Sequence, residues 1–240
     1  TRTPHPKDPP VPARPPLGAA LARTSVAVGG LAAVALVAAL AGCAGDDWSR
    51  PHAAPSAIGE LGAGFLPSAS PSPEATIHPR EGSWDAVHPS PGMRVVLLRA
   101  DDEDATVTTI DDSVVRWAEA EKVSLRTVTA GHDKVAAIVE AMDQEPDLII
   151  SAGNDLVDAL ALVTANHLDQ QFLVIGAEVA EPTGNVTAVD WTGASFRGEG
   201  LGTPSDYDPK SFTSARCDRA VRAGVAAVLH EARGIVVWID

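Results

Sequence analysis

From residue 93 onward the apolar positions show two alternating textures: short aliphatic runs, and longer stretches with apolar residues every three or four positions. RVVLL (94–98), DLIIS (147–151), QFLVIG (171–176), NVTAVDW (185–191) and GIVVWI (234–239) predict strands, as does the alternating SLRTVT (124–129). Between them, residues 107–121 put Val107, Ile110, Val114 and Trp117 on one helical stripe. Residues 134–144 do the same with Val135, Ile138, Val139 and Met142, and residues 156–166 with Leu156, Ala159, Leu160 and Val163. A polar loop over 192–212 precedes a long helix at 214–232. Strands alternating with helices fold by right-handed crossovers into a parallel sheet with helices on both faces. Aliphatic strands suit a sheet covered on both sides. The expectation over residues 92–240 is a doubly wound, mainly parallel α/β sheet of about six strands, a single Rossmann-like lobe. The link between the fourth and fifth strands carries no helix.

The first third reads differently. Residues 24–40 carry no charge, and the run is short for a membrane-spanning helix, which needs about 20 residues. Its Ala, Val, Leu and Gly suit the core of an export signal, with Arg23 as the basic flank. Arg2, Lys7, Arg14 and Arg23 outnumber the single acidic Asp8 before Cys43, so the net charge of −14 falls wholly on the remainder. LAGC (40–43) resembles the lipobox of bacterial lipoproteins, an aliphatic residue and two small ones before a cysteine. The resemblance implies cleavage before Cys43, lipidation of its thiol and anchoring at the extracytoplasmic face of the cell membrane. Residues 1–43 are therefore expected to be a lipoprotein signal peptide. Residues 44–91, rich in Pro, Ala, Ser and Gly, show no persistent period and are expected to be a disordered tether, spanning on the order of 40 Å as a coil. Trp48 and Trp84 are isolated within it and read as incidentally exposed.

An acidic chain lacks the basic face that nucleic-acid binding needs. The second cysteine, Cys217, falls in the last predicted helix and, with Cys43 lipidated, has no disulfide partner; it reads as a buried structural thiol. No P-loop, HExxH, GxSxG or CxxC occurs, and the histidines show no metal-ligand spacing. These readings give the expectation of a non-enzyme with no metal and no cofactor.

PDLIISAGNDLVDAL (146–160), QFLVIGAEVAEPTGNVTAVDW (171–191) and their order resemble the first lobe of the basic membrane protein family, over roughly residues 93–191. These are lipid-anchored substrate-binding proteins of ABC transporters with the type I periplasmic-binding-protein fold, and nucleosides are their best-known ligands. The family's second lobe has no counterpart in the residues at hand, so the resemblance implies a form reduced to one lobe. It implies a small polar ligand of the nucleoside or sugar class, an ABC permease as partner, and a homodimer as one way to supply the missing lobe. The alternative expectation is a single-lobe interaction or sensory lipoprotein that binds no small molecule.

In open α/β sheets ligands bind beyond the carboxyl ends of the strands, at the point where strand order reverses. Asp101 and Asp102 follow the first strand of this region and could accept hydrogen bonds from sugar hydroxyls; a solvated acidic loop is the other reading. Ser151, Gly153 and Asn154 precede a helix, where backbone N–H groups face a ligand. Asp155 is an equal candidate for a simple N-cap. Glu178 follows the fourth strand, and Trp191, at the end of the fifth, reads as either core or a stacking surface.

Overall fold

The computed structural model describes residues 47–101, 104–195 and 206–240. The leader, Cys43 and the LAGC motif lie outside the described residues. Among the described residues no helix is long and apolar enough to cross a membrane.

Among the described residues nine strands and four α-helices follow in chain order: β1 (Ala57–Ile58), β2 (Thr76–Ile77), β3 (His88–Pro89), β4 (Arg94–Ala100), α1 (Ala105–Glu121), β5 (Ser124–Ala130), α2 (Lys134–Met142), β6 (Leu148–Ala152), α3 (Val157–Thr164), β7 (Phe172–Ile175), β8 (Val186–Asp190), α4 (Ser214–Leu229) and β9 (Val236–Trp238). Seven of the strands form one sheet in the order β2-β9-β8-β7-β6-β4-β5, and every pairing in it is parallel. β1 and β3 form a separate antiparallel pair.

The central strands β4, β6, β7 and β8 are buried because each one feeds two cores. Val95 and Leu97 face one side with Ile150, Leu173 and Val189, where α1 and α4 pack; Val96 and Leu98 face the other with Ile149 and Val174, under α2 and α3. The helix starts are set by side-chain caps: Asp104 accepts from the Thr106 N–H, Asp133 from the Ala136 N–H and Thr213 from the Arg216 N–H. Lys122 ends α1 in the left-handed region, its N–H reaching back to the Ala118 and Glu119 carbonyls. The chain winds from β4 outward to β5, then crosses back over β4 to β6. Strand order therefore reverses between β4 and β6. The link from β7 to β8 makes its parallel connection without a helix, as its sequence implies.

Residues 47–91 correct one expectation. They are not a disordered tether from residue 47 on; they fold onto the α/β unit. Trp48, Phe65, Ile77 and Trp84 are all buried, so the two tryptophans read as incidentally exposed are anchors. β2 adds a seventh, parallel edge strand beside β9, fixed by hydrogen bonds from Glu74 N–H to Gly234 O and from Val236 N–H to Ala75 O. At the amino ends of β4 and β5, the Arg94 guanidinium donates to the carbonyls of Trp48 (3.1 Å) and Arg50 (2.6 Å). The Trp48 ring receives the Arg126 guanidinium at 4.3 Å, and its N–H donates to Ser124 at 2.7 Å. His52 sits 2.9 Å from the Asp147 carboxylate. Single aromatics spaced along a Pro- and Gly-rich segment leave no period to read, yet each buries a large apolar surface.

Candidate functional site

The carboxyl end of β4 runs from Ala100 into Asp101, an exposed residue whose N–H donates to Ala130 O at 2.9 Å. Residues 102–103, and with them the candidate Asp102, lie outside the described residues. Asp104 then opens α1. Its carboxylate accepts from both the backbone N–H and the hydroxyl of Thr106, each at 2.6 Å. The Thr106 hydroxyl holds the Asp104 carboxyl below the usual carboxylate range; partial burial opposes this, and the N–H groups of Thr106 and Val107 assist it.

β6 ends in Ser151 and Ala152, and the chain turns at Gly153 with φ of +71°, its N–H bonded to Ile175 O. A Cβ there would meet Val107 Cγ2 at 2.9 Å, so glycine lets the turn press against the first turn of α1. Asn154 and Asp155 are exposed beyond it. The N-cap of α3 is Leu156, with no side-chain cap, so Asp155 does not take the capping place that its type suggests. Its carbonyl instead accepts from Lys134 Nζ at 2.6 Å.

Between these two strand ends lies a cavity of about 320 Å³. Its polar rim is Asp104, Thr106, Asn154, Ser195 and Tyr207, with Gly153 at the turn; Val107 and Phe212 form apolar wall. The Tyr207 hydroxyl lies 3.1 Å from the Thr106 hydroxyl. On the β5 side an adjoining cavity of about 340 Å³ is lined by Asp101, His132 and Lys134, and Asp155 borders both. The position is the topological switch, where two strand ends diverge and helix starts supply N–H groups. A larger groove of about 830 Å³ lies at the opposite end of the strands, beside Trp48, Arg94 and Leu125. There Arg94 already satisfies the carbonyls of the 47–50 segment, and Arg50, Glu119 and Lys122 add charge to the lining; it lies at the amino ends of the strands, away from the topological switch.

The sequence-derived candidates divide accordingly. Gly153 and Asn154 line the cavity at the switch, and Asp101 lines its neighbour. Ser151 is buried inside β6, and its hydroxyl has no hydrogen-bond partner among the described residues. Glu178 is buried in the loop after β7 and does not line either cavity. Trp191 takes the core alternative: it is fully buried, its indole N–H donates to Ser211 at 3.0 Å, and its ring meets Phe212 edge-on at 5.0 Å. A ring enclosed in this way offers no face to a ligand. Thr106, Ser195 and Tyr207 were not singled out by sequence reasoning. Tyr207 is the chain's only tyrosine, which is the sole signal that could have drawn attention to it. Among the described residues, no group of three or more His, Cys, Asp or Glu side chains is placed to hold a metal ion.

Cys217 is buried in α4, and burial pushes its thiol up to about 12. In a Cys43→Ser chain, an aromatic disulfide reagent at pH 8 is expected to leave the native thiol unmodified over an hour and to titrate it fully in denaturant. Rapid native labelling would contradict the enclosed position.

No protein-family model matches the chain, so membership of the basic membrane protein family is not established. Solved structures that the chain partly resembles include ABC transporter solute-binding proteins from Aeropyrum pernix K1 (20% identity, TM-score 0.36, covering 42% of this chain and 29% of that one). A candidate lipoprotein fragment from Peptoclostridium difficile 630 has 17% identity and a TM-score of 0.41, covering 57% of this chain and 98% of that one. At these TM-scores the likenesses carry no argument. Two curated relatives are named 1D-myo-inositol 2-acetamido-2-deoxy-alpha-D-glucopyranoside deacetylase. The one from Geodermatophilus obscurus is 28% identical over 159 residues, covering 63% of this chain and 47% of its own length. The one from Rhodococcus erythropolis is 31% identical over 153 residues, covering 60% and 44%. The chain spans less than half the length of either. These relatives correct the expectation of a non-enzyme: the sequences it matches are named as enzymes, and the absence of familiar catalytic motifs was no sound basis for excluding one.

Proposed function

We propose that the cavity between the ends of β4 and β6 binds a small polyhydroxylated ligand of the sugar or nucleoside class, in a domain held at the extracytoplasmic face of the membrane through a lipid on Cys43. The observation that carries the reading is the convergence of Asp104, Asn154, Ser195 and Tyr207 on one cavity at the topological switch. Carboxylate, amide and hydroxyl groups around a partly apolar wall match a ligand that is polar at its rim and carbon-faced at its centre. In the transport form of this reading the ligand is handed to an ABC permease.

The test is thermal unfolding of the full chain with N-acetylglucosamine, methyl α-D-glucopyranoside, myo-inositol and adenosine. A ligand at about 100 times its Kd adds about 2.7 kcal/mol, which raises the Tm of a domain this size by roughly 5–10 °C. A rise with at least one probe, abolished by Asn154→Ala with unchanged unliganded Tm, is the expected result. No shift with any probe would overturn the reading and favour a protein-interaction domain.

The curated relatives favour a second reading at the same cavity, removal of an acetyl group from an N-acetylated sugar. Water's oxygen would bond to the acetyl carbon, the C–N bond would break, and the nitrogen would leave as an amine after taking a proton. N-acetylglucosamine incubated with the protein would then yield free acetate and free amine in equal amounts, and their absence would leave binding without this chemistry.

A further inference from the structure

The geometry points to Tyr207 as an aromatic platform that selects ring sugars, pyranosides above all, over open-chain polyols bearing the same hydroxyl groups; this rests on the binding reading above. Tyr207 is 48% exposed and lines the cavity, whereas its aromatic neighbours Phe212 and Trp191 are buried. Its ring is backed by Phe212, 5.8 Å away at an angle of 57°, and Phe212 is in turn set against Trp191. The three rings step from the core to the mouth of the cavity, and only the outermost is open.

The other end of the ring is held by hydrogen bonds. Thr106 has one hydroxyl proton, and it goes to the Asp104 carboxylate at 2.6 Å. The proton in the 3.1 Å contact between Tyr207 and Thr106 therefore belongs to the tyrosine. The phenol oxygen keeps lone pairs that can accept from a ligand hydroxyl. A ring fixed by Phe212 on one side and by the Thr106–Asp104 relay at its tip is pre-organised, so little ordering cost remains when a ligand arrives. The C–H face of a pyranose lies flat on such a ring, while its equatorial hydroxyls point outward toward Asp104, Asn154 and Ser195. An open-chain polyol can reach the same polar groups but has no flat face, and it loses several rotors on binding. The cavity, about 320 Å³, is at the small end of ligand pockets and suits one sugar ring.

The test is calorimetric titration of the full chain and of Tyr207→Phe and Tyr207→Leu with methyl α-D-glucopyranoside, N-acetylglucosamine and sorbitol. Circular dichroism melting checks that each variant is folded. The wild type is expected to bind at least one of the two pyranosides about tenfold more tightly than sorbitol. Tyr207→Leu is expected to weaken that pyranoside about tenfold and leave sorbitol unchanged, and Tyr207→Phe to keep the preference with a loss of about threefold. Pyranoside binding by Tyr207→Leu within twofold of wild type would overturn the platform and leave the binding reading standing. An equal loss for pyranosides and sorbitol would overturn the selectivity, since Tyr207 would then act only on the shape of the cavity. Failure of the wild type to bind either pyranoside, while thermal unfolding detects binding of myo-inositol or adenosine, would overturn this inference alone. Binding of none of the probes in either experiment would overturn both.

Discussion

Trp84→Ala is expected to destabilise the protein by about 3–5 kcal/mol, the range for removing a fully packed tryptophan. Trp84 is buried and meets Phe65 edge-on at 6.3 Å, inside the same core that holds the α1 and α4 side of the sheet. Its indole N–H has no hydrogen-bond partner among the described residues, so the loss is one of packing and not of a hydrogen bond. Urea unfolding followed by circular dichroism measures it as a lower midpoint with an unchanged slope. The result separates two pictures of residues 47–91. A flexible tether would tolerate the change within about 0.5 kcal/mol, as exposed positions do. A loss of several kcal/mol would mean that the segment is part of the cooperative unit.

The second large effect is expected at Gly176, just past the end of β7. Its φ is +76°, and a Cβ there would lie 2.8 Å from Phe212, 3.1 Å from Ile110 and 3.2 Å from Trp191. Gly176→Ala combines about 1–2 kcal/mol of left-handed backbone strain with about 1–3 kcal/mol of overpacking. The backbone cannot relieve the strain by turning away, because the Gly176 N–H is held by Val189 O and its carbonyl by the Ser195 N–H. The clash falls first on Phe212, the ring behind Tyr207. Gly176→Ala should therefore lower the urea midpoint and also weaken ligand binding at a cavity that Gly176 does not itself line. Loss of stability with unchanged affinity would show that the aromatic stack is not what shapes the cavity.

The elements from β4 to β9 were legible because each has its own local signal. β6 is an unbroken aliphatic run, α1 has a stripe from Val107 to Trp117, and α2 has an apolar period of which Ile138 is buried while Val135 and Val139 are exposed. β2 was not legible. It is two residues long, and its place in the sheet comes from the backbone of β9, not from any pattern in its own side chains. The same contrast holds at the site. Gly153 and Asn154 could be placed at a strand end because strand, turn and helix are contiguous in the sequence. Tyr207, Ser195 and Thr106 meet only through the tertiary fold, with Tyr207 and Thr106 separated by 101 positions. Trp191 could be assigned to a strand end but not to one side of it, since the direction of its ring depends on Ser211 and Phe212 in a later loop.

Arg94 gathers the carbonyls of residues 48 and 50 at the amino end of β4, whereas the cavity opens past its carboxyl end at Ala100. The two poles are separated by the length of that strand, roughly 20 Å at the usual rise per residue. The segment around residues 47–50 thus acts as a fixed stem, and the cavity faces away from it like the mouth of a cup. A bead, sensor chip or membrane attached through the stem would leave the mouth unobstructed. Attachment through the loops at the carboxyl ends of the strands would crowd it.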